Sequence, residues 1–271
     1  MIRKSLFFML LVVAAAAGLT TVPAQAITGP GEIDTVHTNV GVVRFTTTAG
    51  RFRCSGTLIA PKVVLTAGHC TEGPATNVLV SFDDKLIPDP LAAGISDDER
   101  RARMSHYVTG TAHPDPAWDG KLTLAKQHDQ GVVVLSERAS IKWPSIRPAP
   151  LPPVGYLDEA NNGAFKDATF TLVGYGVDIG DKKQQIVVQE RRFTTSFLKN
   201  IQDEVVVFQI NSNDSKAGGG SCFGDSGGPV FLNGYVLGDA SYVNSLTCNG
   251  TGSYQRADTA HSRAFLDQFL P

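Results

Sequence analysis

Short apolar runs bounded by turn-forming residues cover most of the chain after residue 39. They are rich in β-branched and aromatic side chains and are separated by Gly, Pro, Asn and Asp, which is the pattern of short β-strands. The predicted strands are Val40–Thr46, Gly56–Ile59, Val63–Thr66, Val78–Phe82, Gly131–Leu135, Thr169–Gly174, Gln185–Phe193, Val205–Ile210, Pro229–Leu232 and Tyr235–Ala240. Helical periodicity is scarce among them, so we expect an all-β protein.

The last stretch of the sequence follows a different pattern. Between Asp258 and Leu270, the apolar residues Ala260, Ala264 and Phe265 recur near helical spacing, which predicts one closing helix. About 245 residues with many short strands and a single helix fit two antiparallel β-barrels.

The N-terminal residues 1–26 have the pattern of a secretory signal peptide. They combine a basic start at Arg3 and Lys4, an uncharged apolar run over residues 6–17 and a small-x-small cleavage signal at residues 24–26. We therefore expect a secreted protein whose mature chain begins directly after this segment. An uncleaved membrane anchor is the alternative.

The net charge of the chain limits the kinds of molecule that it is expected to bind. The chain has 24 Lys and Arg against 26 Asp and Glu, and the loss of two basic residues with the leader brings the formal charge from −2 to −4. This balance is unlike that of a nucleic-acid-binding surface, and no later run is long and apolar enough to cross a bilayer. We expect neither nucleic acid nor, after cleavage of the leader, a membrane as partner.

A serine and a histidine far apart in the sequence are candidates for nucleophilic catalysis. Residues 224–229 read GDSGGP, and the glycines around Ser226 allow a tight turn that leaves its hydroxyl uncovered. A serine hydroxyl is a weak nucleophile until a base takes its proton, and His69 in the segment TAGHC is the candidate base. Asp129, just before an apolar run, is the candidate carboxylate that orients the base. Asp119, in a loop-like Pro/Trp/Gly context, is the alternative carboxylate.

These motifs resemble those of the chymotrypsin/trypsin family of serine endopeptidases, and the resemblance extends from Ile27 to the C-terminus. It implies two antiparallel six-stranded β-barrels with a C-terminal helix, and an active site between the barrels. The expected organisation is a first barrel over residues 27–143, a Pro-rich linker over residues 144–153 and a second barrel over residues 154–271. The first barrel would carry the histidine and the aspartate, and the second the serine.

The resemblance also implies the chemistry. Ser226 attacks the carbonyl of a peptide bond, His69 takes its proton, Asp129 holds the imidazole, and an acyl-enzyme is then hydrolysed. The backbone N–H groups of Gly224 and Ser226 form the oxyanion hole. The implied protein is a monomeric, secreted endopeptidase that acts on protein or peptide substrates and requires no cofactor and no metal.

Four cysteines in an exported chain meet an oxidising environment, and the sequence alone permits three pairings. The family resemblance selects Cys54 with Cys70 and Cys222 with Cys248. The first bridge would tie a strand to the histidine loop, and the second would brace the serine loop. The alternative is that the four cysteines are structural thiols that play no part in the active site.

The substrate pocket is implied by the same resemblance. Its base lies six residues before the nucleophile, at Gly220, and its walls contain Ser241, Tyr242, Val243 and Gly252. Without a charge at the base, burial of a substrate Lys or Arg side chain is disfavoured. Since Val243 narrows the entrance, we expect a neutral, small to medium apolar P1 residue.

The start of the mature chain, Ile27-Thr28-Gly29, resembles the Ile-Val-Gly start of active family members. The resemblance implies that the new α-ammonium group of Ile27 pairs with Asp225 and orders the adjacent turn. Signal peptidase alone would then generate the active N-terminus. The alternative is that Asp225 merely caps the turn.

The segment of residues 83–104 departs from the family pattern. It is charged and contains Pro, so we expect a solvated surface loop. A calcium-binding or specificity loop is the alternative, although its carboxylates have no spacing that demands a metal.

Two other functions fit part of the sequence. GDSGG also satisfies the G-x-S-x-G motif of α/β-hydrolase esterases, but in those enzymes the acid and the histidine follow the serine in an α/β chain. Only 45 residues follow Ser226, although Asp258 and His261 lie among them. A catalytically silent binding or regulatory member of the same fold is the other alternative. Such members usually carry damage in the triad, which is intact here.

Overall fold

The structure is a computed structural model that describes residues 27, 31–73, 75–121, 127–179, 185–211 and 218–271. The expected signal peptide, residues 1–26, lies outside the described residues. The strands are β1 (Glu32–Ile33), β2 (Val40–Thr47), β3 (Gly50–Ala60), β4 (Val63–Thr66), β5 (Thr76–Ser81), β6 (Val108–Pro114), β7 (Gly131–Leu135), β8 (Phe170–Gly174), β9 (Val177–Ile179), β10 (Gln185–Val187), β11 (Arg192–Ser196), β12 (Leu198–Ile201), β13 (Val205–Gln209), β14 (Pro229–Leu232), β15 (Tyr235–Val243) and β16 (Thr251–Arg256). The helices are α1 (Asp97–Met104), α2 (Ala139–Lys142) and α3 (Ala260–Leu266).

The first sheet is a closed antiparallel barrel with the strand order β2-β3-β4-β7-β6-β5. Side chains alternate between its two faces because successive residues of a strand point in opposite directions. Val43, Val64, Val80 and Val133 thereby come together in one buried cluster with the Cys54 sulfur. The expected six-stranded first barrel is confirmed.

The second sheet has eight antiparallel strands in the order β1-β11-β8-β14-β15-β16-β13-β12. It has two strands more than the expected six, with β1 at one edge and the short β12 at the other. The pairing of Glu32 with Phe193 joins the N-terminal segment to this sheet and not to the barrel. Its core is aromatic, with Phe170, Phe208 and Tyr254 packed together.

A third apolar cluster lies between the two sheets. Val40 and Leu65 come from the barrel, Val173 and Phe231 from the second sheet, and Phe265 from the C-terminal helix. Burial of apolar surface from all three units holds them together. The crevice beside this cluster brings together the turn after β4, the segment before β7 and the turn before β14.

Most predicted strands are present, with ends that shift by a few residues. The single strand predicted over Gln185–Phe193 is wrong, because the chain leaves one ladder after Val187 and enters another at Arg192. Five of the described strands, β1, β6, β9, β12 and β16, were not predicted. Polar residues and glycine dominate β6 and β16, and the other three have four residues or fewer.

The segment of residues 83–104 is more ordered than a solvated loop. It contains α1, whose N-cap Ser96 accepts a hydrogen bond from the N–H of Glu99, a capping pattern that the sequence Ser-Asp-Asp-Glu already carries. The side chain of Leu86 is buried, and its N–H donates to the carbonyl of Gln189 at 2.7 Å. The segment therefore connects the barrel, through this hydrogen bond, to the residues that precede β11.

The acidic side chains of this segment have protein partners. Asp83 accepts hydrogen bonds from Trp143 Nε1 at 2.7 Å and from the ring of His106, and Asp89 pairs with Arg51. Among the residues that the structure describes, no carboxylates of this segment form a group able to hold a metal ion.

The Pro-rich residues 144–153 contact both sheets. The N–H of Ala149 donates to the carbonyl of Leu58 in β3, and the carbonyl of Pro150 accepts from Val236 in β15, at 2.8 and 3.0 Å. Within the described ranges, no helix has the length and the apolar character needed to cross a bilayer.

Candidate active site

The candidate base His69 lies in a short 3₁₀ turn, Gly68–Cys70, directly after β4. Its backbone N–H donates to Asp129 Oδ1 at 2.8 Å, and its ring Nδ1 lies 2.9 Å from Asp129 Oδ2. The Asp129 side chain is fully buried, whereas that of His69 is 26% exposed. Because the carboxylate accepts a hydrogen bond from the protonated Nδ1, the second ring nitrogen, Nε2, is left as the basic one.

The carboxylate of Asp129 is held from the second sheet as well. Ser241 Oγ on β15 lies 2.6 Å from Asp129 Oδ2, and the N–H of Asp129 donates to Gln255 Oε1 on β16 at 3.2 Å. Ser241 therefore contributes more than the pocket wall that the sequence suggested. The role of Gln255 had no motif in the sequence and comes from the packing of the two sheets.

The candidate nucleophile Ser226 lies half-buried in the turn before β14. Gly224 and Gly227 on either side have φ values of +96° and +78°, which side chains with a Cβ rarely adopt. Ser55 of the barrel fixes this turn, because its N–H donates to the carbonyl of Ser226 at 2.8 Å and its Oγ to that of Gly224 at 3.0 Å.

The backbone donors of this turn divide into two groups. The N–H groups of Asp225 and Gly227 donate to backbone carbonyl oxygens at 3.0 and 2.7 Å. In the described part of the chain, the N–H groups of Gly224 and Ser226 have no protein acceptor. The turn thus leaves two unpaired donors beside the serine hydroxyl.

His69 and Ser226 border one cavity of about 270 Å³. Among the described residues no hydrogen bond joins the two side chains, and such contacts commonly tighten only when substrate is bound. The remaining wall consists of residues 221–223 on one side and residues 240–243 on the other. The expected pocket residues Ser241, Tyr242 and Val243 are therefore brought together with the candidate triad.

The other two expected pocket residues, Gly220 and Gly252, do not border this cavity. The fully buried side chain of Ile210 lies between them. A Cβ built on Gly220 would lie 2.0 Å from Ile210 Cβ and 2.2 Å from its Cγ2, and a Cβ on Gly252 would lie 3.1 Å from the same Cγ2. Ile210, which no sequence motif indicated, fills the space expected for the deep end of the pocket.

Asp225, next to the candidate nucleophile, is a fully buried carboxyl group. Its oxygens accept hydrogen bonds from the N–H groups of Gly176 and Cys222 at 2.7 and 2.8 Å. Burial nevertheless raises the pKa of Asp225 to about 7. Among the described residues, Asp225 has no ion-pair partner, and the buried Ile27 borders the same small cavity.

Two disulfide bonds flank the site. Cys54 pairs with Cys70 and Cys222 pairs with Cys248, which are the pairs that the family resemblance implies. Cys54, Cys70 and His69 lie close enough together to be considered as metal ligands. Because both sulfurs are bonded to each other, they are not available as thiolates.

The alternative acidic and basic residues have other surroundings. Asp119 is exposed and pairs with Lys121 at 3.2 Å. Asp258 pairs with Arg256, and His261 with Asp115, so neither is a partner of the serine in an esterase-like arrangement. The antiparallel sheets also exclude the α/β-hydrolase fold.

The sequence is similar to those of known proteins. The Trypsin family model matches residues 33–263. A snake venom serine protease of Crotalus durissus durissus is 27% identical over 207 residues, 72% of this chain and 69% of the relative. Mast cell protease 8 of Mus musculus is 23% identical over 252 residues, 91% of this chain and 90% of the relative.

Solved structures show the same fold. HL collagenase is similar with a TM-score of 0.64 and 20% identity, over 89% of this chain and 97% of that structure. Human heparin binding protein is similar with a TM-score of 0.58 and 18% identity, over 89% of this chain and 95% of that structure.

Proposed function

Because this chain belongs to the trypsin family, we propose that it is an active, secreted serine endopeptidase that cleaves after neutral, small to medium apolar residues. The observation that carries this proposal is the arrangement around one cavity. His69 is held at its backbone and its ring by Asp129, and Ser226 lies on the same cavity beside two unpaired N–H groups.

The proposed reaction assigns one role to each group. Ser226 Oγ attacks the peptide carbonyl while the unpaired nitrogen of His69 takes its proton. Asp129 keeps the imidazole in the tautomer that makes this nitrogen basic and stabilises the imidazolium. The proton then passes to the leaving amine, and water releases the acyl group by the same route.

The N–H groups of Gly224 and Ser226 are proposed to receive the oxyanion of the tetrahedral intermediate. They are unpaired, whereas their neighbours in the turn are not. Loss of one such donor typically lowers the rate by on the order of 10²–10³. Asp225 is proposed to fix this turn by accepting the new α-ammonium group of Ile27 after the leader is removed.

The proposed preference at P1 follows from the cavity walls. Val243 borders the cavity and Ile210 lies between Gly220 and Gly252, which shortens the space that a P1 side chain can enter. Among the described residues that line the cavity, none is an acid that could compensate a buried Lys or Arg side chain.

A fluorophosphonate label on the secreted protein tests the proposal. We expect covalent labelling of the wild type and none of Ser226→Ala, with undiminished labelling of Ser105→Ala, which alters an exposed serine outside the site. Equal labelling of wild type and Ser226→Ala would overturn the assignment of the nucleophile. A folded wild type that neither takes the label nor cleaves peptides would instead identify a silent member of the fold.

A further inference from the structure

Arg53 lies beside the turn that carries the candidate nucleophile. It precedes Ser55 by two residues on β3, so the two side chains point to the same face of the strand. Ser55 Oγ bonds the carbonyl of Gly224 at 3.0 Å, and a Cβ built on Gly224 would lie 3.4 Å from Arg53 Nε. The guanidinium group therefore packs against the proposed oxyanion turn.

The charge of Arg53 has no bonded partner in the described part of the chain. The arginines nearest to it in the sheet are both engaged, since Arg51 pairs with Asp89 and Arg44 donates to Tyr107 Oη. Arg53 is half-buried, and none of its nitrogens is among the fully buried, unpartnered polar atoms. Its donors therefore reach solvent.

The surroundings leave these donors available to a ligand. Burial lowers the pKa of Arg53 from its ordinary value, as does the neighbouring Arg44, while Asp225 acts in the opposite direction. A guanidinium remains protonated throughout this range. Asp225 does not quench the charge by direct pairing, because its oxygens accept from the N–H groups of Gly176 and Cys222.

The position of Arg53 in the fold indicates that it faces the leaving-group side of the scissile bond. The cavity for the acyl side of the substrate is bordered by residues 221–223 and 240–243 of the second sheet. Arg53 lies on the barrel, next to the Cys54–Cys70 bridge. A peptide whose P1 side chain fills the cavity therefore carries its leaving-group side towards Arg53.

On this basis, and resting on the proposed endopeptidase activity, we propose that Arg53 binds a carboxylate on the leaving-group side of the scissile bond. A guanidinium matches a carboxylate with two parallel N–H···O bonds, and its partial desolvation strengthens the attraction. The carboxylate has two possible sources, an Asp or Glu side chain at P1′ or P2′, or the free C-terminus of a short leaving fragment.

Matched peptide substrates test the site. The pairs carry Asp or Asn at P1′ and at P2′ with an amidated C-terminus, and a third pair carries neutral residues with a free or an amidated C-terminus. At low salt we expect kcat/KM to be about tenfold higher for the carboxylate member of one pair. The preference should weaken in 0.5 M NaCl, because salt screens a partly exposed pair.

Variants identify the residue responsible. Arg53→Gln should bring the kcat/KM ratio of the carboxylate to the neutral member of the pair down to about one, and Arg53→Lys should retain part of the preference. Arg53→Glu should reverse it, with Lys preferred at the same position. The matched control is Arg51→Gln, which removes a charge from the same face of β3 that Asp89 already neutralises, and it should retain the preference.

The outcomes separate this proposal from the proposed activity. Cleavage of all peptides without a carboxylate preference, or with a preference that persists in Arg53→Gln, overturns the Arg53 site and leaves the endopeptidase in place. If no peptide is cleaved, the activity fails, and fluorescence anisotropy of labelled Asp and Asn peptides on Ser226→Ala still decides about the site. Equal binding of the two peptides then overturns it, and tighter binding of the Asp peptide supports it.

Discussion

Gln130 and Asp239 form a hydrogen bond across the boundary between the two sheets. Gln130 Nε2 donates to Asp239 Oδ1 at 3.2 Å, and both side chains are fully buried directly beside Asp129. Burial, and after it the neighbouring Asp129 carboxylate, raise the pKa of Asp239 well above its usual range. The carboxyl group of Asp239 is therefore held in its protonated form well beyond the pH at which the unfolded chain releases the proton.

The variant Asp239→Asn should remove a pH-dependent cost in stability. In the wild type the folded state keeps the Asp239 proton above about pH 4 while the unfolded state releases it, so the stability falls as the pH rises. Asparagine cannot titrate. We therefore expect the free energy of unfolding of the variant, relative to that of the wild type, to be higher at pH 8 than at pH 5. Urea unfolding at both pH values measures this, and Asp267→Asn, at an exposed position, is the control.

The variant Asp129→Asn should lose activity without losing the fold. If the amide oxygen of the new side chain accepts from the backbone N–H of His69, its NH2 group takes the place of Oδ2 and donates to Nδ1, so the imidazole loses the tautomer needed for catalysis. The family template sets the expected loss at about 10⁴ in kcat. Asp119→Asn, which alters the exposed alternative carboxylate, should retain full activity. The opposite pattern in the two variants would transfer the orienting role to Asp119.

The variant Ile210→Ala should allow the enzyme to accept substrates with larger P1 side chains. Removing the side chain between Gly220 and Gly252 opens the deep end of the pocket, and we expect the kcat/KM ratio of Phe to Ala substrates to rise about 10–200-fold. A peptide library with a variable P1 residue measures the change. Val206→Ala, a buried position on the neighbouring β13 strand that packs into the sheet core, should cost stability without changing the preference. An unchanged profile in Ile210→Ala would show that another group limits the pocket.

An aspartate at the expected pocket base should not by itself create cleavage after Arg or Lys. In Gly220→Asp the new Cβ would overlap Ile210, 2.0 Å away, so the variant should unfold more easily and keep its neutral preference. The double variant Gly220→Asp with Ile210→Ala keeps most of this overlap, because the Cβ and Cα of residue 210, 2.0 and 2.6 Å away, remain, so it should not accept Arg or Lys either. The measurement is the P1 profile of both variants, and basic cleavage by either variant would contradict the geometry.

Removal of the leader should change the pH dependence of stability. While residues precede Ile27, the folded state keeps the proton of Asp225 up to about pH 7, so the stability of the precursor falls as the pH rises from about 4 to about 7. A paired α-ammonium at Ile27 would let Asp225 ionise and remove this fall. Pairing raises the pKa of the ammonium above its reference of about 7.7–8.0, so its contribution is present below about pH 8 and is lost as the pH rises through the raised value.

Unfolding curves of the precursor and of protein that starts at Ile27 test this between pH 4 and pH 9. N-terminal sequencing of the secreted, active protein shows where the chain begins. A protein with Gly-Ser added before Ile27 serves as the control, and it should lose most of its activity. Undiminished activity with this extension would reject the ion pair between Ile27 and Asp225.

The sequence by itself determined the fold class and the candidate triad. GDSGGP and TAGHC are local motifs whose residue types indicate a nucleophile and a base without reference to the fold. The fold class follows from short apolar runs such as Val63–Thr66, which are equally local. The family resemblance then supplied the disulfide pairs that the structure contains. Residues with a weak local signal, as in β6 and β16, escaped prediction because their strands are stabilised by pairing with neighbours.

Only the tertiary structure decided the surroundings of each group. Ile210 lies ten residues before Gly220 in the sequence and yet fills the space beside it. Asp129 lies 110 residues before Asp239, and yet its charge contributes to the raised pKa of Asp239. Such effects depend on distance in space and on exclusion of water, which the sheet-to-sheet packing sets and local sequence does not encode. The same reason applies to Arg53, whose charge becomes informative only when the fold places it against Gly224, with no bonded partner among the described residues.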